Sequence, residues 1–366
     1  MTDLDKLVCV KDFEDRAAGL LEKRALEYFK TVAGHGNSFR AAKDAYLRVK
    51  LKPRVLRNVS KCSVAATVLS RSCGLPIGIS PWAVQKVAHP EGEVGSARAA
   101  EAAGAVYVLS TMSTVALEEV AAAAPRGRNW LQTHIYKDRK LTERLVKRAE
   151  KAGFEAIVIT VDAPVIGIRY DDARSQFTLP PHLELDFKLT RLANFKETNQ
   201  SSSSNNQPLL DRSVSWKDIK WLKTITALPI VLKGILGAED AELALLHSID
   251  GIIVSSHGGR QLDTVPAPLE VLAEIVDKLK GSSCEVYVDG GISTGSDVFK
   301  ALAIGAKMAL IGRPAVWGLT CGGQQGVQKV LDILRNELET TMMLSGVSDV
   351  SEINRNYVRT PSNWFE

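Results

Sequence analysis

One unit recurs along this chain: a helix end of small residues, a glycine, then a short apolar run. It appears at Ala103-Gly104-Ala105 before VYVLS and at Ala152-Gly153-Phe154 before AIVIT. It returns at Ile249-Asp250-Gly251 before IIVSS and at Ile304-Gly305-Ala306 before MALIG. LPIGIS (75–80), WLQTH (130–134), LPIVLK (228–233) and VYVD (286–289) share the same character, which makes eight such runs. Continuous apolar runs, unlike alternating ones, suit parallel strands covered on both faces. Helical patterns separate them, at 91–103, 114–123, 139–152, 215–227, 238–248, 267–280, 295–305 and 326–344. Alternation repeated this often predicts an α/β fold, the (β/α)8 or TIM barrel. A doubly wound sheet also alternates, but eight regular units favour closure.

With 45% hydrophobic and 24% charged residues, the chain can bury a large core and stay in solution, which excludes wholesale disorder. The 46 basic residues are interleaved with 42 acidic ones, which speaks against a nucleic-acid surface. No stretch reads as a membrane span, and the start MTDLDKLVCVKDFEDR lacks the apolar run of a secretory signal. Five scattered cysteines without a CxxC suggest a reducing compartment, and no spacing calls for a metal.

Two segments fall outside the alternation. Residues 1–74 form an N-terminal extension with an amphipathic helix expected over roughly 11–30, ending near Tyr28. The stretch from about 170 to 214 interrupts the pattern after strand four and holds the polar run SSSSNNQ. An insertion of that length on the catalytic face reads as a lid, and a plain disordered insertion fits nearly as well.

A barrel places its chemistry just past the strand ends, and those positions are polar here: His134, Thr160 with Asp162, Lys233, Ser255, Asp289-Gly290-Gly291 and Gly312-Arg313. Glycines after the last two strands let backbone N–H groups approach a phosphate, with Arg313 as a bidentate partner. SHGGRQLD after strand six brings together an imidazole, a glycine pair, a guanidinium and a carboxylate. His257 suits a general base near neutrality, Asp162 can orient it, and Arg260 can clamp a carboxylate. Lys233 can neutralise charge developing on a bound ring.

At these residues the chain resembles the FMN-dependent α-hydroxy acid oxidase family, which contains glycolate oxidase and the animal 2-hydroxyacid oxidases. The likeness runs through LKPRVLRNV, AHPEGE, TVDAP, LKGI, SHGGRQLD, DGGISTGSDVFKAL and IGRP, nearly end to end. It implies one domain over residues 1–366, with the extension at 1–74, the barrel at 75–345 and the lid at about 170–214. The implied activity is oxidation of L-2-hydroxy acids to 2-oxo acids on FMN, with O2 as acceptor and H2O2 as product. Transfer to another acceptor, or flavin binding without turnover, is the alternative. By resemblance, His257 is the base, Asp162 its partner, and Lys233 the lysine beside the flavin. Arg169, Arg260 and Tyr28 match carboxylate contacts, with His134 and Met112 lining the substrate pocket. Pro81, Trp82, Ala83, Ser110, Gln132, Thr160 and Ser255 match the surroundings of the ring. Asp289, Gly290, Gly291, Ser293, Gly312 and Arg313 match the ribityl and phosphate contacts. The likeness further implies a homo-oligomer, tetramer or octamer. It also implies a peroxisomal location, although the chain ends SNWFE rather than in an SKL-type signal; the cytoplasm is the alternative.

Five positions depart from the family pattern. His134 stands where a second tyrosine is usual, and Met112 where glycolate oxidases carry a tryptophan. Trp82 takes the place of a small residue, and Ser256 that of an asparagine. Ser293 replaces an arginine, removing a charge-assisted contact of about 1.5–3 kcal/mol, so weaker FMN retention is expected. Methionine at 112 predicts a softer pocket that prefers longer 2-hydroxy acids to glycolate.

Overall fold

The computed structural model describes residues 3–175 and 210–364. The eight apolar runs form the parallel strands β1 (Ile77–Ile79), β2 (Val106–Ser110), β3 (Arg128–Thr133) and β4 (Ala156–Thr160), then β5 (Ile230–Ile235), β6 (Gly251–Val254), β7 (Glu285–Asp289) and β8 (Met308–Ile311). They close in chain order, β8 pairing back onto β1 through Ala309–Ile77 and Ile311–Ile79. The predicted barrel is therefore the observed fold.

Residues of alternating parity along each strand face opposite ways. Val106, Val108, Trp130, Ala156, Val158, Val231, Ile253, Tyr287, Met308 and Leu310 fill the barrel interior as one apolar cluster. Their neighbours Tyr107, Leu109, Leu131, Ile157, Ile159, Leu232, Val286 and Val288 pack into the larger layer beneath the helices. At the end of the barrel where the strands begin, an antiparallel ribbon (Ala66–Val68 with Arg71–Cys73) puts Val68 and Cys73 into the interior cluster and stops that end.

Where one N-terminal helix was expected, the structure has two, α1 (Val10–Leu20) and α2 (Lys23–Lys30), followed by α3 (Asn37–Arg48). Leu21 and Glu22 between them are extended, with ψ of 141° and 145°. Gly19 weakens the helix just before the break. The turn lets α1 pack on the C-terminal helix while α2 brings Tyr28 and Phe29 to the barrel mouth.

The barrel helices are α4 (Gly92–Ala103), α5 (Leu117–Ala123), α6 (Arg139–Ala152), α8 (Trp216–Ile225), α9 (Ala238–Leu246), α10 (Pro268–Lys278), α11 (Gly295–Ile304) and α12 (Arg313–Leu344), with a short α7 (Tyr170–Ser175) after β4. The last begins thirteen residues earlier than the sequence pattern suggested. Pro314 sits in its first turn, where a missing N–H costs nothing, and the Gly322–Gly323 break hid the earlier part. Of the expected lid, residues 170–175 form α7 and Leu210 bridges to Tyr136, while 176–209, including SSSSNNQ, lie outside the described residues. No described helix is long and apolar enough to cross a membrane.

Candidate active site

Inward-facing positions, two residues apart, carry each strand from the apolar core to the mouth. One inward step past Val108 is Ser110, past Trp130 is Gln132, past Val158 is Thr160, past Val231 is Lys233, past Ile253 is Ser255, and past Tyr287 is Asp289. Every strand in this series thus changes from apolar to polar at the same height. Burying such groups is costly unless they are hydrogen-bonded, and most of these are. Gln132 Nε2 donates to Thr160 Oγ1 at 2.9 Å, and Lys233 Nζ to Ser255 Oγ at 3.1 Å. Lys233 also lies 3.5 Å from Asp289 Oδ2, which accepts from Ser80 Oγ at 3.0 Å.

Above this floor stands His257, whose Nδ1 is 2.9 Å from Asp162 Oδ1. Its backbone adopts φ of 56°, uncommon for a residue with a side chain, and its N–H is tied to Ser255 Oγ at 3.0 Å. Such a conformation is kept only where the surroundings enforce it. Gly234 makes the dyad possible: a β-carbon there would sit 2.5 Å from Asp162 Cβ, and its φ is 112°. Burial, aided by Lys233 and Arg260, holds the imidazole below its usual 6.5, and Asp162 pulls it partly back. Burial would raise the Asp162 carboxyl, but His257, Lys233 and His134 outweigh that and hold it below 3.8.

His134, the inward residue after Gln132, is pushed down to about 4, first by burial and then by His257, so it stays neutral at physiological pH. Among the described residues, nothing hydrogen-bonds either of its ring nitrogens. Met112 anchors its N–H on Ser110 Oγ at 3.1 Å.

Three arginines meet at the rim. Arg260 donates to the carbonyls of Tyr28 (2.8 Å) and Thr31 (3.1 Å) and lies 5.2 Å from the Tyr28 ring centroid. Arg313 donates to Phe29, Thr31 and Gly258 carbonyls at 2.9–3.0 Å. Arg169 donates to the Arg260 carbonyl at 3.0 Å and faces Asp172 at 3.6 Å. The carbonyls at the C-terminal end of α2 thus receive two guanidinium groups, as the helix dipole favours. Burial and the neighbouring arginines lower Arg260 to about 10 and Arg313 to about 9, leaving both charged. Among the described residues neither has a carboxylate within ion-pair distance, so the rim carries positive charge toward an anion.

One cleft of about 290 Å3 gathers nearly all the candidate residues: Tyr28, Pro81, Trp82, Ala83, Ser110, Met112, Gln132, His134, Thr160, Arg169, Lys233, His257, Arg260, Asp289, Gly290, Gly291, Ser293, Gly312 and Arg313. Asp162 and Ser255 are not on its wall, and they reach it through His257 and Lys233. Ser293 is on the wall, but its hydroxyl and N–H both turn to Asp297 Oδ2, capping α11. Sequence reasoning missed Ser80, Phe39, Lys43 and Glu14, which also line the cleft. Ser80 was discoverable, being the polar inward step after β1. The others come from the extension, where no strand-end rule applies.

Asp263, in the same loop as His257, belongs to the scaffold. It accepts from Ser38 N (2.8 Å), Asn37 Nδ2 (3.0 Å) and His35 N (3.1 Å), fastening α3 to the SHGGRQLD loop. Partial burial would raise its carboxyl, but these amides lower it to about 2. Asp263→Ala is expected to destabilise the fold by about 1–3 kcal/mol in urea titrations. The folded value is depressed, so the stabilisation is complete above 3.8 and lost as pH falls through about 2. The gap between the two proteins should therefore close in acid.

The chain matches the family model described as FMN-dependent dehydrogenase over residues 17–360. It is 44% identical to 2-hydroxyacid oxidase 1 of Homo sapiens over 361 residues, covering 97% of each chain. It is 46% identical to glycolate oxidase 3 of Oryza sativa subsp. indica over 362 residues, covering 98% of each. A crystal structure of mandelate oxidase superposes with a TM-score of 0.87 at 38% identity, covering 97% of this chain and 99% of that one. A parallel barrel with an imidazole–carboxylate dyad and an anion-seeking rim at its mouth is the frame of a flavin oxidoreductase. The chain belongs to the FMN-dependent dehydrogenase family, and FMN is its cofactor.

The residues present fit that cofactor. Asp289 Oδ1 is buried without a partner beside Lys233, leaving an acceptor for a ribityl hydroxyl. Nothing lies within 4 Å of where a β-carbon on Gly312 would be, at the N-terminus of the 32-residue α12. Open backbone at a helix N-terminus suits a phosphate.

Proposed function

We propose that this protein oxidises L-2-hydroxy acids to 2-oxo acids, with dioxygen as final acceptor and hydrogen peroxide as product. The observation that carries this reading is the His257–Asp162 dyad, 2.9 Å across, facing the same cleft as Arg169 and Arg260. In it, the guanidinium groups and Tyr28 hold the substrate carboxylate and so fix the α-carbon beside His257. Neutral His257 takes a proton from the substrate through Nε2, and Asp162 stabilises the imidazolium that results. Bound FMN supplies the acceptor for the electron pair. Lys233 offsets negative charge at the cleft floor, where Ser255 and Asp289 keep its ammonium in place. His134, fixed neutral, offers the substrate a hydrogen bond without adding a second positive charge.

The test is spectroscopic. Purified protein should be yellow, bleach anaerobically with a 2-hydroxy acid, and release one peroxide per turnover when air returns. Bleaching without peroxide would assign a different acceptor; yellow protein that no hydroxy acid bleaches would reduce it to a flavin-binding module.

Met112 lines the cleft beside Ser110, and its flexible thioether adapts to apolar side chains. Longer 2-hydroxy acids should therefore show higher kcat/KM than glycolate. Each well-buried methylene is worth about 0.8 kcal/mol, roughly fourfold. Met112→Trp should reverse the order in a chain-length series; glycolate preference in the unaltered protein would refute the assignment.

A further inference from the structure

We propose that Lys43, from the N-terminal extension, is a phosphate-binding residue for FMN. The argument starts at the end of the cleft formed by the loops after β7 and β8, and it rests on placing the phosphate there. Gly291 is pressed onto α3: a β-carbon would lie 2.1 Å from the Ala42 carbonyl oxygen and 3.1 Å from Lys43 N. The Asp289-Gly290-Gly291 turn thus lies directly against the backbone that carries Lys43. From that position the Lys43 side chain enters the cleft wall, with Nζ 4.9 Å from the Phe39 ring centroid. Arg313 Cζ lies 4.5 Å from the same ring centroid, so one aromatic ring carries both cations.

The other side chains at this end are partly committed or carry the wrong charge. Arg313 gives three of its five N–H groups, one each from Nε, Nη1 and Nη2, to carbonyls of Phe29, Gly258 and Thr31, which leaves two for an anion. The Ser293 hydroxyl is held by Asp297. Glu14 on α1 shares the cleft wall and is a carboxylate, which repels an anion. Lys43, by contrast, forms no ion pair among the described residues. A phosphate monoester is close to a dianion at neutral pH, and an ammonium on a flexible stem is suited to meet it as a point charge. The extension then does more than cover the barrel: α3 supplies a counter-charge, and assembly of α3 on the Gly291 turn is coupled to retention of the cofactor.

The experiment compares FMN with riboflavin, which differs only in lacking the phosphate. Full-length protein is freed of flavin and titrated with each, following the quenching of flavin fluorescence. Lys43→Ala should weaken FMN binding by about tenfold and leave riboflavin binding unchanged, and Lys43→Arg should restore most of the loss. The FMN effect should shrink as salt is raised. Lys43 is exposed, and unchanged thermal unfolding of the flavin-free variants would exclude a folding defect. Arg313→Ala is measured alongside. If it lowers the preference for FMN while Lys43→Ala does not, the phosphate is correctly placed and the role of Lys43 is wrong. If neither substitution alters the preference, the placement itself is wrong and the inference falls with it.

Discussion

His257→Asn leaves the protein yellow but slows anaerobic bleaching by a 2-hydroxy acid by about 10²–10⁴-fold, the range expected when a general base is lost. Asparagine is the informative replacement because position 257 has a φ of 56°, which asparagine tolerates better than most side chains. Its amide preserves polarity at the cleft yet cannot accept a proton, so a loss of rate reports on the base and not on a collapsed loop. Flavin binding depends on other residues and should be unaffected. The pH profile gives a second reading. Only the neutral imidazole can act, and burial, Lys233 and Arg260 hold it below 6.5, so kcat/KM should reach its plateau by neutral pH. Asp162 raises the His257 value, so Asp162→Asn should move the acid limb to lower pH while lowering the plateau. Unchanged bleaching in His257→Asn would remove the imidazole from the mechanism.

Arg260→Ala should lower kcat/KM by about 30- to 5,000-fold, corresponding to 2–5 kcal/mol for truncating one partner of a buried charged contact. Its guanidinium is held by the Tyr28 and Thr31 carbonyls and packs over the Tyr28 ring, so it is already oriented before substrate arrives. A planar fork held in place loses little entropy in gripping a carboxylate at two points, which is why lysine is not its equal. Arg260→Lys should therefore recover only part of the activity. The affinity for FMN should stay constant in both variants, which separates loss of the clamp from damage to the barrel. Full activity in Arg260→Ala would assign the carboxylate to Arg169 alone.

The barrel was legible because its signal is local and repeated. Glycine at a helix end followed by an apolar run such as Val106–Ser110 or Ala156–Thr160 states a turn and a buried strand within ten residues; that unit occurs four times, and four further apolar runs complete the eight strands. The strand-end residues were legible for a related reason. Period two carries Val108 to Ser110 and Val231 to Lys233 on the same face, and closure then gathers those faces around one axis.

The remaining features come from contacts between distant segments, which no local pattern encodes. The turn at Leu21–Glu22 exists because α1 follows α12 while α2 turns to the mouth. Asp263 looked like part of the chemistry in SHGGRQLD, yet the arrival of α3 makes it a clasp for Ser38, Asn37 and His35. Lys43 reads as one more solvated lysine until Gly291 is seen against the backbone beside it. Repeating, short-range order follows from the chain's own steric and apolar pattern, whereas a residue's partner across two hundred positions follows from how the packed elements meet.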